Sequence, residues 1–498
     1  MKKLIVLLTS LTLLTSCGME NNVTINNQTN TLQNVTQPNN ENVITDISDE
    51  TESLYEYDVT VDQSNFSNDD LIYFIMIDRF SDGDTSNNNF EDYSDDKSDL
   101  KSYLGGDLRG VINQLDYIKT QGATAIWLTP VVKNEPYGYH GYWTSDFESV
   151  DPHFGDLDTL KELVETAHEK DIKVILDYIV NHTGYQHEWL NDPDKQDWFH
   201  NNGTITDFKN DDQVLNYNLA GLPDLNTENP EVKDYFYNNV LWWIKETGVD
   251  GLRLDTVRHV PNEFWNEFAY IIKQEYPDFF LLGEVFVSSP SFLASYNEVG
   301  FDSITNYSMY DGILETFRIY GDANKLKIAI NNDSKFSNRE LNGIFLDNHD
   351  VSRLISRTSK HGEAYLKQGL TFLMTYPSIP IVYYGTEIGL EGKSDPDNRQ
   401  MMDFDATVDN EIYDYYQMLV TLREETKDYD TVEILEAKSD YIVLNYTNGV
   451  KNMIVAFNVS LYDKNIMIEG SYKDYITQET ISGDIVLKSL ESLILLEE

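Results

Sequence analysis

The chain has 498 residues, 41% hydrophobic and 24% charged, roughly three times a modal domain, which excludes a small stapled scaffold. Acidic residues outnumber basic ones 85 to 36, giving a formal charge of −49, and a surface this negative repels phosphate backbones, which excludes nucleic acid as a partner. One cysteine, Cys17, rules out an intramolecular disulfide, while salt adaptation, a cation-binding surface and simple solubility all fit the acidity equally.

In chain order, Met1, Lys2 and Lys3 precede an apolar run over 4–14 that is too short to span a bilayer, and Leu14-Thr15-Ser16-Cys17 ends it with small residues. The segment resembles a bacterial lipobox. That implies removal of 1–16, lipid on Cys17, and an exported chain on the extracellular face of the cell membrane, touching it only through that lipid. An ordinary signal peptide with an incidental cysteine would export the chain as well. Residues 17–65, rich in Asn, Thr and Gln and then acidic, predict a flexible tether, with folding expected from Phe66.

Eight β-branched or apolar runs follow, at 71–77, 123–128, 172–180, 251–254, 279–285, 301–306, 343–346 and 381–384. Amphipathic stretches alternate with them at 111–120, 157–170, 232–247, 263–274 and 364–375, and a last one covers 411–426. This cadence predicts an α/β class (β/α)8 TIM barrel over 66–182 and 230–428. A doubly wound sheet also alternates, but it would not run to eight units with polar residues clustered just after the strands. The interruption at 183–229, rich in His, Asn, Asp and Trp, reads as a subdomain over the barrel mouth. Short strands at 432–435, 441–446, 452–458, 485–487 and 492–496 predict a C-terminal all-β sandwich over 429–498.

Three carboxylates fall just after expected strands: Asp255 in Gly251-Leu-Arg253-Leu-Asp255, Glu284 in Gly283-Glu284-Val-Phe, and Asp350 in Asp347-Asn348-His349-Asp350. One such residue alone reads as a helix cap or a solvated loop group. Three at one rim, each near Arg or His, suit glycosidic cleavage, in which one carboxylate attacks the anomeric carbon and a protonated one donates to the leaving oxygen. Arg253 shares a strand face with Asp255 and should keep it ionised, which makes Asp255 the nucleophile. Glu284, among Leu281, Leu282, Val285 and Phe286, should be kept protonated by burial as the general acid. Asp350 is left to bind sugar hydroxyls.

These segments, with Asp177-Tyr-Ile-Val-Asn181-His182, resemble the four signature regions of the α-amylase family of glycoside hydrolases and transglycosidases, in order and spacing. The resemblance implies a retaining double displacement with Asp255 as nucleophile, Glu284 as acid/base and Asp350 as transition-state stabiliser. It further implies that His140 contacts sugar hydroxyls and that Tyr142, in Tyr139-His140-Gly141-Tyr142-Trp143, stacks on the sugar, where rim packing is the bland alternative. His182, Arg253, Arg258, His259 and His349 are implied as substrate or nucleophile contacts. Asp82-Gly-Asp84-Thr-Ser-Asn87-Asn88 reads from composition as a solvated turn or a Ca2+ loop. It looks like the calcium loop of cyclodextrin glycosyltransferases, which Gly105-Gly106-Asp107 would complete. A possible second calcium would use Asn181, Asp224 and the carbonyl of His259.

The preferred reading is an endo-acting hydrolase of α-1,4-linked starch or maltodextrin, because the resemblance implies an extra N-terminal β-domain in cyclodextrin- and pullulan-degrading relatives and only a polar segment precedes Phe66 here; a monomer is expected. The alternatives are a cyclomaltodextrinase or neopullulanase-like hydrolase, a 4-α-glucanotransferase, and a silent glucan-binding protein, against which all three carboxylates argue. The segment Leu222-Pro223-Asp224-Leu225-Asn226 is intermediate between subfamily patterns.

Overall fold

The computed structural model describes Glu56, Tyr57, Val59 and residues 64–498 except Ser359; the expected signal segment, Cys17 and most of the tether lie outside the described residues. Among the described residues no helix is long and apolar enough to cross a membrane.

Eight short parallel strands form the barrel: β1 (Ile72–Ile75), β2 (Ala125–Leu128), β3 (Lys173–Tyr178), β4 (Gly251–Leu254), β5 (Phe280–Gly283), β6 (Ser303–Ile304), β7 (Gly343–Phe345) and β8 (Ile379–Tyr383). They pair in the order β6-β5-β4-β3-β2-β1-β8-β7. A bridge between Thr305 and Gly343, with Asn306 N–H on Gly343 O at 2.8 Å, closes the ring. Every expected strand is present. The barrel strands are buried along nearly their whole length, because side chains fill the interior and helices cover the outside, so they read as continuous apolar runs rather than alternating ones.

The helices form for local reasons that also fix their faces. In Pro230–Thr247, Asn229 caps the start by accepting Glu231 N–H at 2.9 Å, and proline takes the first position, where its missing donor is harmless. Gly248 ends it at φ 71°, a left-handed turn that favours glycine. Val232, Phe236, Val240, Trp243 and Ile244 recur at helical spacing and are buried against the barrel, each contributing about 1.5–3 kcal/mol.

Residues 183–229 contain short 3-10 turns and one helix, Asp211–Asn216, with no strand among them. An antiparallel hairpin that the sequence did not announce, Val132–Asn134 with Thr144–Val150, carries the loop that holds His140 and Tyr142 to the barrel mouth.

At the C-terminus, strands β9 (Thr431–Lys438), β10 (Tyr441–Thr447), β11 (Asn452–Asn458), β12 (Lys464–Asp474), β13 (Thr480–Leu487) and β14 (Ser492–Glu497) make one antiparallel sheet ordered β9-β10-β11-β14-β12-β13. Leu444, Tyr446, Val455 and Phe457 join the barrel core. Val443, Ile454, Ile466 and Ile468 bury a second core, so the two layers of the expected sandwich are parts of one continuous sheet. Strand β12 went unread because a register shift between Ile468 and Tyr472, around Gly470 at φ 101°, breaks its alternation.

The expected boundary at Phe66 needs correction. Tyr57 stacks on Tyr270 at 4.5 Å and exchanges two backbone hydrogen bonds with the Asn266 amide, 3.1 and 3.0 Å, so the chain is already fastened to the barrel there.

Candidate active site

Asp177 and Arg253 are register partners on β3 and β4, so both side chains enter the barrel on the same face. Arg253 is fully buried, and its Nη1 reaches Asp177 Oδ1 and Oδ2 at 2.8 and 2.9 Å and Asp255 Oδ1 at 2.8 Å. Its Nη2 reaches Glu284 Oε1 at 2.6 Å. One planar cation therefore serves three carboxylates, a task for which its fork suits it better than a lysine would. The sequence pattern alone assigns Asp177 no role. Its signal was a carboxylate inside an otherwise apolar strand, and Trp127 Nε1 and Tyr142 O–H also donate to it, at 3.1 and 2.8 Å.

Asp255 Oδ2 is buried and has no hydrogen-bond partner. After Asp255 the chain turns through Thr256 at φ 48°, a strained conformation for a β-branched residue. That turn aims Thr256 N–H at Glu284 Oε2, 3.2 Å away. Burial pushes the Glu284 carboxyl up to about 8, with the charges of Asp255 and Asp350 adding to it and Arg253 opposing. Burial likewise pushes Asp177 up to about 7 against the pull of Arg253. The expected apolar shell of Glu284 holds for Leu281, Leu282 and Val285, all fully buried, but Phe286 is 59% exposed and lines the cleft instead.

Asp350 lies on the loop after β7, with His349 Nε2 at 3.4 Å and Arg399 Nη2 at 3.5 Å. Arg399 also donates from Nε to His349 O at 2.9 Å and pairs with Asp395 at 3.0 Å. The sequence reading missed both Arg399 and Asp395, which sit on an irregular loop with no periodic signal.

Tyr142 lies parallel to the His349 ring, 5.2 Å between centroids and 7° between planes. His140 Nδ1 accepts Tyr142 N–H at 3.1 Å, so the neutral ring carries its proton on Nε2; burial and Arg399 hold its pKa well below the usual histidine range. Burial, then Arg399 and Arg253, keep His349 neutral as well. His182, expected on the substrate, uses both ring nitrogens within the protein: Nε2 donates to Tyr142 O at 3.2 Å and Nδ1 accepts from Asn181 Nδ2 at 3.3 Å. Arg258 Nη2 donates to Phe208 O at 2.8 Å and His259 Nδ1 to Val214 O at 2.9 Å, so both tie the β4 turn to the overhanging loop. These residues surround a cleft of about 520 Å³.

Among the described residues no three His, Cys, Asp or Glu side chains gather as a metal cluster, so any cation would lean on amide and backbone oxygens. The first expected calcium loop fits on that basis. Asp82 Oδ1 and Asn87 Oδ1 are buried without partners, and a Cβ on Gly105 (φ 92°) would stand 2.9 Å from Asn88 Oδ1 and 3.1 Å from Asp82 Oδ2. Asp107 and Asp84 depart from the expected ligand role. Asp107 accepts N–H groups of Gly83, Asp84 and Gly110 at 3.0, 2.8 and 2.6 Å, and exposed Asp84 caps its own turn through Ser86. At the second expected site the ligand oxygens are only partly engaged within the protein. Asp224 Oδ2 is taken by His200 Nδ1 at 2.6 Å, and His200 Nε2 reaches Glu228 at 3.4 Å, but Asp224 Oδ1 is buried without a partner and Asn181 engages His182 only through its NH2 group.

A family model described as alpha amylase, catalytic domain, matches residues 74–439. A beta/alpha-amylase of Paenibacillus polymyxa is 43% identical over 366 residues, 70% of this chain and 30% of that protein. A cyclomaltodextrinase of a Bacillus species is 34% identical over 374 residues, 72% of this chain and 66% of that one. This chain thus spans less than two thirds of the length of either relative. The crystal structure of an Anoxybacillus α-amylase superposes with a TM-score of 0.81 at 41% identity, covering 86% of this chain and 98% of that one.

Proposed function

The chain belongs to the α-amylase family of glycoside hydrolases, and from that premise we propose that it cleaves α-1,4-glucosidic bonds with retention of configuration, preferring cyclodextrins and short maltodextrins. The observation that carries the mechanism is the Arg253 fork. Binding Asp255 at 2.8 Å and Glu284 at 2.6 Å from one guanidinium sets the two carboxyls side by side around one cation, the pairing of nucleophile and acid that a retaining double displacement uses.

In the proposed first step, the unpaired Asp255 Oδ2 attacks the anomeric carbon while protonated Glu284 gives its proton to the glycosidic oxygen, which leaves as a hydroxyl. In the second, water attacks the same carbon, Glu284 takes a proton from it, and the ester to Asp255 breaks. Asp350, His140 and His349 would hold sugar hydroxyls, Tyr142 would present its ring to the pyranose, and Arg399 would position Asp350.

The curated relatives support the cyclomaltodextrinase or neopullulanase-like specificity better than the endo-acting starch reading drawn from the polar N-terminal segment. The starch reading keeps one observation in its favour: the Anoxybacillus α-amylase is matched over nearly its whole length. A single Ca2+ at Asp82, Asn87, Asn88 and Gly105 would cross-link the loop after β1 and supply rigidity rather than chemistry. Export and lipidation at Cys17 on the cell surface remain part of the proposal on the strength of the 4–17 segment alone.

Initial rates on β-cyclodextrin, pullulan and soluble starch side by side, with product anomers followed by proton NMR, test the reading. α-Anomers with cyclodextrin fastest are expected. Starch fastest would restore the endo-amylase reading, products longer than the substrate would mean a glucanotransferase, and β-anomers or no turnover would overturn the mechanism.

A further inference from the structure

Outside the catalytic cleft, Tyr137 is an aromatic residue held at φ 66° while 50% exposed. A non-glycine residue in the left-handed region costs of order 1–3 kcal/mol, and such strain persists only where the surroundings enforce it. Here they do. Tyr137 N–H donates to Asp92 Oδ2 at 2.9 Å, Asp92 Oδ1 meets His153 Nε2 at 3.1 Å, and His153 Nδ1 meets Asp151 Oδ1 at 2.7 Å. Asp92 and Asp151 are 8% and 1% exposed. The His153 ring lies on Tyr103 at 3.6 Å and 7°, and Phe90 packs on it at 4.1 Å. Phe90 keeps 38% of its surface in solvent.

A buried, mutually satisfied polar network thus holds up two exposed aromatic rings on separate loops. Between them is a pocket of about 320 Å³ with Glu91 and Lys133 at its rim, at the small end of the ~300–1,000 Å³ usual for small-molecule sites. The chemistry narrows the ligand. The floor carboxylates are already paired with His153, so a metal ion gains little there, and the rim charges oppose one another, so neither sign of ligand is favoured. A neutral polyhydroxylated molecule fits, with C–H faces for the rings and hydroxyls for Glu91 and Lys133. The loop is continuous with the cleft, since His140 and Tyr142 follow Tyr137 by three and five residues.

We propose that Phe90 and Tyr137 form a second, non-catalytic binding site for an α-glucan chain, at which the rings stack on glucose units of a polymer near the cleft. The identity of the ligand rests on the glucan-hydrolase reading; the existence of the site does not depend on turnover.

The test is retardation of the full chain in native gels containing soluble starch, run in a Glu284→Gln background so that starch is not consumed. Tyr137→Gly removes the ring and relieves the strain, because glycine adopts φ 66° freely. It should therefore melt no lower than the parent while its dissociation constant for starch rises about fivefold, the scale of a lost stacking contact. Phe90→Ala should act in the same direction, and Tyr137→Phe should stay within about twofold of the parent. Unchanged retardation in Tyr137→Gly, equal loss in Tyr137→Phe, or no retardation of the parent would each overturn the site. Failure of the hydrolysis assays, with retardation still dependent on the two rings, would overturn only the enzymatic reading.

Discussion

Replacing Arg253 by Lys keeps one positive charge at the centre of the site and removes its fork. From the position of Nη1 an ammonium can still serve Asp177 and Asp255, whose oxygens lie 2.8–2.9 Å away, but it cannot also occupy the Nη2 position 2.6 Å from Glu284. One charge-assisted hydrogen bond in a fully buried setting is lost, about 1.5–3 kcal/mol. At about 1.4 kcal/mol per tenfold, kcat/KM on a maltooligosaccharide should fall by roughly 10- to 150-fold. The pH profile carries the sharper sign. Glu284 must hold its proton to act as an acid, so with its carboxyl pushed up to about 8 by burial, activity should decline as pH rises through about 8. Arg253 is the chief influence pulling that value down. Weakening its contact should move the alkaline limb of kcat/KM to higher pH even as the maximum falls. Steady-state rates of wild type and Arg253→Lys from pH 5 to 10, with melting curves to confirm folding, decide this. A variant within threefold of wild type, or one whose alkaline limb moves to lower pH, would refute the shared-cation account.

Asp255→Asn and Glu284→Gln should each reduce turnover at least about 10³-fold while leaving the melting temperature near wild type, measured as maltodextrin hydrolysis. A chelator should lower the melting temperature of wild type, by mass action on the folded state, and leave Asp82→Ala unmoved; equal shifts in both would place the cation elsewhere. His200→Ala should cost about 3 kcal/mol in denaturant unfolding at pH 7, because Asp224, 1% exposed, loses its cation. His200 is raised from 6.5 to about 9 by hydrogen bonds to Asp224 and Glu228 that outweigh its burial. The pair is lost as pH passes about 9, where His200 gives up its proton, and weakens as pH falls through about 7, to which burial raises Asp224, so the gap between wild type and variant should be widest between those values.

The barrel was legible because each strand is a buried apolar run ending in a polar cluster, and both signals survive in one dimension. Asp255, Glu284 and Asp350 could be read for the same reason: each follows its strand by one to five residues. Arg399 could not, since its contact with Asp350 joins two loops about fifty residues apart with no shared periodicity. His200 failed differently. From sequence, Asp224 looked like a metal ligand, and only the fold shows an imidazole 2.6 Å away. Tyr57 was assigned to a tether because its neighbours are polar, yet the fastening needs only one ring on Tyr270 and one amide from Asn266, too little to register as composition.

The division of labour proposed for Asp255 and Glu284 follows from topology more than from residue type. Asp177 and Arg253 face each other across one rung of the β3–β4 ladder, and Asp255, two residues on, leaves the same face, so the cation meets both before Glu284 arrives from β5. Had Glu284 been alone with Arg253, the ion pair would favour its charged form. Instead the guanidinium is divided among three buried carboxylates, and the charges of Asp255 and Asp350 act on Glu284 with little water between them. Glu284 thus keeps its proton inside an under-compensated cluster of carboxylates, which is why changing the cation should shift its titration and the rate together.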